Sequence, residues 1–145
     1  MKKLLLLLLV FSLPIVLFGC SPSISLDIEP DPVVFTEDNR TEDIEISIAG
    51  SGFGEVSIDS IDATVIDEEG ESIFTEEVEI GESAFIISGI TVTEEFTLDL
   101  EEIFEDEIDN GFEDFYDKIE GQEYTLKIKV SGSETTSAET DILFE

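Results

Sequence analysis

The sequence predicts an all-β sandwich, and three patterns indicate this fold class. Apolar residues alternate with polar ones in several short segments, as at Ile44, Ile46 and Ile48. Turns rich in Gly, Pro and Asp separate these segments. A helical period is confined to one stretch, 101–120. We therefore expect about seven to eight strands in two packed antiparallel sheets, with a short helical insert before the penultimate strand.

The first half of the chain predicts strands joined by short connections. Val33–Phe35 follows a proline-rich turn and is typical of a short edge strand. The glycine-rich stretch 50–54 lies between two strand patterns and lacks the glycine spacing of a dinucleotide loop, so we interpret it as a strand connection. The apolar residues change phase between Ile58 and Ile61, which predicts a β-bulge near residues 59–60.

The next segments continue the pattern of strands and turns. Residues 67–70 predict a hairpin turn in which Gly70 adopts a positive φ. An apolar strand over 85–92 is interrupted at Gly89. Alternation and helical spacing assign the phenylalanines to the core, namely Phe74, Phe85, Phe96, Phe104, Phe112 and Phe115.

The helical insert is predicted by a change of period. Phe112, Phe115, Tyr116 and Ile119 recur at spacings of three and four, which places them on one face of a helix. Residues 110–111, Asn followed by Gly, predict a break into two short helices. Gly121 follows as a glycine C-cap.

The last two strands contain the clearest alternation and a resemblance. Leu126, Ile128 and Val130 alternate with polar residues after Tyr124. Residues 119–130, with the sequence IEGQEYTLKIKV, resemble the start of strand F in fibronectin type III and related immunoglobulin-like domains. The resemblance implies an immunoglobulin-like sandwich in which Tyr124 is a structural corner residue. Its hydroxyl would bond to the chain upstream while its ring packs in the core.

The N-terminus has the layout of an export signal. Lys2 and Lys3 precede an apolar run, and residues 4–19 are too short to span a bilayer, which needs about 20 apolar residues. The tetrad at 17–20, Leu-Phe-Gly-Cys, resembles the bacterial lipobox. The resemblance implies lipid on the thiol of Cys20 and cleavage just before it. The alternative is an ordinary secretory signal in which Cys20 is incidental.

These observations predict three segments. They are a lipoprotein signal peptide at 1–19, a lipidated N-terminus and spacer at 20–24, and the sandwich domain at 25–145. Cys20 is the only cysteine, so it cannot form an intramolecular disulfide, and lipidation explains an unpaired thiol in an exported protein. We expect a cell membrane or cell envelope location, extracytoplasmic and anchored by lipid.

The net negative charge limits which molecules the chain can bind. All 37 acids follow Cys20, and four cations remain beyond it, so the formal charge after cleavage is 4 − 37 = −33. Such a chain is a poor partner for nucleic acid and for anionic lipid headgroups. Neighbouring carboxylates repel each other at ordinary ionic strength and are screened in brine, so we expect stability to depend on salt.

The residue types exclude most catalytic chemistry. The chain has no histidine and its only cysteine is Cys20, so Cys-His dyads, Ser-His-Asp triads and thiolate or imidazole zinc sites are excluded. A carboxylate-based hydrolase remains a remote alternative, but among 37 acids no pair stands out. We expect no enzyme, and instead a binding, adhesion or structural module whose partner is an unknown protein or polysaccharide.

A divalent-cation site is the more specific alternative to a binding, adhesion or structural role. Aligning Gly111 with the turn glycine of an EF-hand loop places Asp106, Asn110, Asp114 and Asp117 at ligand positions for Ca²⁺. The match fails at two positions: Ile108 lies where an oxygen ligand is required, and Asp117 lies where the bidentate glutamate should be. The same stretch also fits the solvated face of a helix. We assign no cofactor, and a calcium-binding surface protein stays the alternative function.

Overall fold

The computed structural model describes residues 21–80, 85–109 and 111–145. The predicted signal peptide at 1–19, the lipidation residue Cys20 and the candidate ligand Asn110 lie outside these ranges. The described strands are β1 (Ser23–Glu29), β2 (Val33–Phe35), β3 (Thr41–Ser51), β4 (Glu55–Ile66), β5 (Ser72–Val78), β6 (Phe85–Ile87), β7 (Thr91–Asp99), β8 (Glu123–Gly132) and β9 (Thr136–Phe144). The described helices are α1 (Leu100–Ile103) and α2 (Phe112–Ile119).

The strands form two sheets, which confirms the predicted sandwich. The smaller sheet has the order β1-β3-β7, and the larger has the order β2-β9-β8-β4-β5, with β6 beside β4. This order matches strands A, B and E against C, F and G of an immunoglobulin-like sandwich. The two helices precede β8, the penultimate strand, as predicted.

Two details of the sheets differ from the prediction. The described part of the chain contains nine strands, and β2 runs parallel to β9 whereas the other named pairs are antiparallel. The extra strand is β1, which starts at Ser23 inside the predicted spacer 20–24. Ile24, Leu26 and Ile28 alternate there with polar residues, so the strand pattern was present in the sequence.

The core lies between the sheets and follows the predicted alternation. Ile44, Ile46 and Ile48 of β3 are fully buried, as are Leu126 and Ile128 of β8. The two sets face each other across the sandwich and exclude water from its centre.

The predicted assignment of phenylalanines to the core holds for most of them but fails at Phe85. Phe104, Phe112 and Phe115 are buried, whereas the Phe85 side chain is 59% exposed. Phe85 lies on the short strand β6, whose neighbour Ile86 takes the inward position. Alternation gives two possible phases, and only the packing of β6 against β4 decides between them.

The predicted β-bulge is confirmed. The register between β4 and β8 shifts between Ile58 and Ser60, which returns Ile61 to the core side. Gly132 lies opposite Ile58, and a Cβ at Gly132 would overlap with the carbonyl oxygen of Ser57. Glycine therefore allows the two backbones to approach at the bulge.

The sandwich has two unlike ends. The end near Ser21, formed by the connections 50–54, 88–90 and 131–135, is here called the N-terminal end. The opposite end, formed by the two helices and the connections 36–40 and 67–71, is called the helical end. In the part of the chain described, neither helix has the length and apolar character needed to cross a bilayer.

Candidate binding surface at the helical end

An aromatic cluster closes the helical end. Phe104 is 2% exposed, and its ring centroid lies 4.9 Å from that of Phe115, 5.5 Å from that of Tyr124 and 6.2 Å from that of Phe144. The contacts with Tyr124 and Phe144 are edge-to-face, a favoured geometry for aromatic pairs. The helical insert therefore packs across the open edge between the sheets.

Tyr116 of α2 ties the insert to the ends of strands β2 and β9. Its hydroxyl lies 3.0 Å from the carbonyl oxygens of both Phe35 and Glu145. A phenol has one proton, so it donates to one carbonyl at a time. Burial, and then the charge of Glu120, raise the pKa of Tyr116 above its ordinary value, so it stays a donor at neutral pH.

Arg40 fixes the insert from the other side. Its Nη1 atom lies 2.7 Å from Oε1 of Glu101, and its guanidinium carbon lies 3.8 Å from the ring centroid of Phe112. The main-chain carbonyl of Arg40 also accepts a bond from the Leu100 N–H at 3.0 Å. One residue thus combines an ion pair, a cation–π contact and a main-chain bond.

Local sequence explains where the helices begin and end. The Asp99 carboxylate accepts a bond from the Glu101 N–H, which caps α1. Gly111 precedes α2 with a φ of 113°, and Gly121 follows it with a φ of 77°, so the predicted glycine C-cap is observed. Two short helices form as predicted, but α1 ends at Ile103, before the predicted break at 110–111, and residues 104–107 form a turn.

Two open clefts flank the aromatic cluster. One, of about 460 Å³, has apolar walls from Ile73, Phe74, Ile103 and Phe104, and a rim of Glu102, Glu105, Asp106 and Glu107. A neighbouring cleft of about 280 Å³ is lined by Asp67, Glu68, Glu69, Gln122 and Tyr124. We call the two together the acidic cleft. An apolar floor under carboxylates can accept an organic cation or a basic side chain, because desolvation strengthens the attraction between opposite charges.

Tyr124 lies between the two parts of the acidic cleft. Burial raises the pKa of Tyr124, and the charges of Glu107, Asp67 and Glu68 raise it further. Its ring packs against Phe104 and Phe144, as the strand F resemblance implies. Its hydroxyl, however, bonds to the Gln122 side chain at 3.1 Å, whereas the resemblance implies a bond to the main chain upstream. The tyrosine whose hydroxyl reaches main-chain carbonyls is Tyr116, and these carbonyls belong to distant residues.

Glu76 is a carboxylate that the alternation did not identify. It lies on β5 opposite Ala63, between the inward residues Phe74 and Val78. Burial first, and then the charge of Glu102, raise the pKa of Glu76. An inward-pointing charge on an edge strand discourages pairing with another chain.

The structure places the described residues of the candidate calcium loop in two different elements. Asp106 lies in the turn after α1, whereas Asp114 and Asp117 are exposed on α2, and the predicted fourth ligand, Asn110, is outside the described residues. In the described ranges, no three His, Cys, Asp or Glu side chains form a group that could hold a metal ion.

Comparisons with known proteins add no function. No protein-family model and no curated protein matches the chain. A β-glucosidase from Listeria innocua, solved with isofagomine, is 14% identical with a TM-score of 0.47, covering 86% of this chain and 16% of its own. The periplasmic chaperone SfaE is 7% identical with a TM-score of 0.43, over 83% of this chain and 56% of its own.

A third solved structure, the ApaA protein from Bordetella pertussis, is 9% identical with a TM-score of 0.41, covering 87% of this chain and 95% of its own. The chain thus spans a small part of the glucosidase and about half of the chaperone. Similarity at these scores carries no argument about function.

Proposed function

We propose that the chain is a lipid-anchored, extracytoplasmic and non-catalytic binding module. The observation on which the proposal rests is the tetrad at 17–20, which follows an apolar run and ends in the only cysteine. A folded sandwich begins at Ser23, three residues after Cys20. Acyl chains contribute about 0.8 kcal/mol per buried CH₂, so more than one chain on Cys20 would hold the domain on a membrane.

The residue chemistry supports a role in binding rather than catalysis. The chain offers no imidazole and no thiol beyond Cys20 for nucleophilic or acid–base work. Among the described residues, the carboxylate with a raised pKa is Glu76, which lies on the edge strand β5 near Glu102. A carboxylate-based hydrolase would need a second carboxylate facing it across a pocket, and the described clefts show no such pair.

The partner's chemistry follows from the acidic cleft. A partner that meets the carboxylates beside the half-buried rings of Phe74 and Tyr124 must supply positive charge, and cations also favour aromatic surfaces. A basic protein surface or an amine-bearing polysaccharide has this chemistry.

Mass spectrometry of the chain purified from membranes tests the anchor. We expect a mature N-terminus at Cys20 that carries acyl groups, and a Cys20→Ser variant without them. A mature chain that starts elsewhere, or that retains a free Cys20 thiol, contradicts the proposal.

Binding of an oligolysine peptide to the detergent-solubilised chain tests the cleft. Glu102→Gln, Glu105→Gln and Glu107→Gln together should weaken binding. The matched control is Glu55→Gln, Asp59→Asn and Glu77→Gln, which removes the same charge from exposed positions on β4 and β5. Equal weakening by the two triple variants would mean that net charge alone attracts the peptide.

Calcium binding remains the alternative function, and a thermal melt in NaCl and in CaCl₂ at matched ionic strength tests it. We expect both salts to raise the melting temperature alike, because both screen the carboxylates. A specific site would instead add about 2.7 kcal/mol at a hundredfold excess of Ca²⁺ over its Kd. A rise caused by calcium alone, and lost in Asp106→Ala with Asn110→Ala, would establish the alternative.

A further inference from the structure

The N-terminal end presents apolar side chains to solvent. Among the described residues, every large hydrophobic side chain that is strongly exposed lies here: Phe53 is 82% exposed, Phe85 59%, and Ile87 and Ile90 45% each. Single exposed hydrophobic residues are normal, but a group at one end of a domain indicates an interaction surface.

The backbone holds these four residues together. Phe85 and Ile87 lie on the same side of β6, opposite Ser57 and Glu55 of β4. The Gly50 N–H donates to the carbonyl of Ile90 at 3.0 Å, and a Cβ at Gly50 would lie 2.5 Å from the carbonyl oxygen of Ile87. Phe53 lies in the connection between β3 and β4, two residues before Glu55, which is paired with Ile87. The four exposed residues thus lie at one end of the sandwich and are here called the apolar patch.

Charge distinguishes this end from the other. The described connections at the N-terminal end, 50–54, 88–90 and 131–135, contain a single acid, Glu134. At the helical end, the connections 36–40 and 67–71 contain Glu37, Asp38, Asp67, Glu68, Glu69 and Glu71. Glu55, the cross-strand neighbour of Ile87, also borders the apolar patch. The described connections at the N-terminal end still contain fewer acids than those at the helical end, so fewer carboxylates must be desolvated when this end meets an apolar phase.

The first described residues are packed against the loop that contains Phe53. A Cβ at Gly52 would overlap with the carbonyl oxygen of Ser21, and a Cβ at Gly54 would lie 3.5 Å from Cγ of Pro22. Ser21 and Pro22, the residues that follow Cys20 in the sequence, therefore lie beside the loop of the apolar patch.

We propose that the apolar patch rests on the lipid bilayer, with Phe53 and its neighbours inserted at the boundary between headgroups and acyl chains. This inference rests on the proposed lipidation of Cys20. An acyl anchor one residue from Ser21 keeps the patch within reach of the surface, so weak contacts suffice to hold it there. The acidic cleft, at the opposite end, then faces away from the membrane.

The absence of tryptophan allows a direct test. Phe53→Trp in the full chain introduces a single fluorophore at the patch, and Asp117→Trp introduces one on the exposed side of α2 as the control. Each purified chain is first shown by mass spectrometry to carry lipid on Cys20. It is then reconstituted into phosphatidylcholine vesicles with brominated acyl chains.

We expect Trp emission from Phe53→Trp to shift to the blue and to lose most of its intensity to the brominated lipid. Emission from Asp117→Trp should keep the intensity that it has in unbrominated vesicles. Adding Phe85→Ser and Ile87→Ser to Phe53→Trp should restore emission, and both residues are exposed enough for the fold to persist.

The outcomes distinguish failure of the proposed lipid anchor from failure of the proposed contact between the apolar patch and the bilayer. A chain without lipid on Cys20 overturns the proposed anchor. A lipidated chain in which brominated lipid does not quench Phe53→Trp overturns the inference alone. A blue shift without quenching also overturns it, because the patch would then be covered by a second copy or another protein.

Discussion

Phenylalanine is buried at the helical end of the sandwich and exposed at the N-terminal end. At the helical end Phe104 is 2% exposed inside an aromatic cluster, whereas at the N-terminal end Phe53 is 82% exposed. The helical end has an insert of two helices to cover its apolar residues, and Arg40 and Tyr116 hold that insert in place. An apolar side chain at the end of a sheet is therefore buried only where another element, such as this insert, covers it.

The described connections at the N-terminal end are short. The loop 50–54 contains three glycines, which have no side chains to cover a neighbour, and its backbone is packed against residues 21 and 22. Backbone contact closes this end, while its apolar side chains point outward. An end built in this way suits contact with an external apolar phase.

The largest expected contrast between the ends is in the stability of alanine variants. Phe104→Ala should lower the free energy of unfolding by about 3–5 kcal/mol, because it removes a buried ring and leaves a cavity. Phe53→Ala should change it by at most about 0.5 kcal/mol. Urea unfolding followed by circular dichroism measures both, and similar losses would contradict the contrast between the ends.

The next effect tests the backbone packing at the N-terminal end. Gly132→Ala should cost about 1–3 kcal/mol, because the new Cβ overlaps with the Ser57 carbonyl and forces the bulge to shift. Ser131→Ala is the control and should stay within about 0.5 kcal/mol. If urea unfolding gives the same midpoint for both variants, the close approach at the bulge does not restrict the side chain.

A smaller effect tests how the insert is attached. Tyr116→Phe should cost about 0.5–1.5 kcal/mol, because a buried hydroxyl that reaches Phe35 and Glu145 is lost. Tyr124→Phe should cost less, since its hydroxyl bonds to the exposed side chain of Gln122. A larger loss of stability for Tyr124→Phe than for Tyr116→Phe would contradict this expectation. It would mean that the hydroxyl of Tyr124, the tyrosine indicated by the resemblance, is the more stabilising one.

The smallest expected effect concerns Glu76 and pH. Because burial and Glu102 raise the pKa of Glu76 in the folded chain above 4.5, the folded state binds this proton more tightly than the unfolded state. Stability from this group is therefore present below pH 4.5 and is lost as the pH rises through the raised value. Glu76→Gln should flatten that part of the urea-unfolding profile and stabilise the chain at neutral pH.

The control for this effect is Glu77→Gln, which removes the same charge from the neighbouring exposed position. If it flattens the profile equally, general repulsion among carboxylates explains the pH dependence, and the pairing of Glu76 with Glu102 does not.

Much of the fold could be predicted because its rules are local. The alternation at Ile44, Ile46 and Ile48, the bulge before Ser60 and the glycine C-cap at Gly121 all follow from neighbouring residues. The exposure of Phe85 could not be predicted, since a short apolar strand has two phases and only its partner strand selects one.

The candidate sites could also be predicted only in part. The sequence by itself determined the lipobox-like tetrad, the exclusion of imidazole and thiol chemistry, and the abundance of acids. Only the tertiary structure decided that Tyr116 rather than Tyr124 bonds to the main chain, and that Glu76 faces inward near Glu102. It also gathered the exposed apolar residues beside Ser21 and the clefts at the opposite end. The physical reason is that composition and period are local properties, whereas burial and charge proximity depend on residues far apart in the chain.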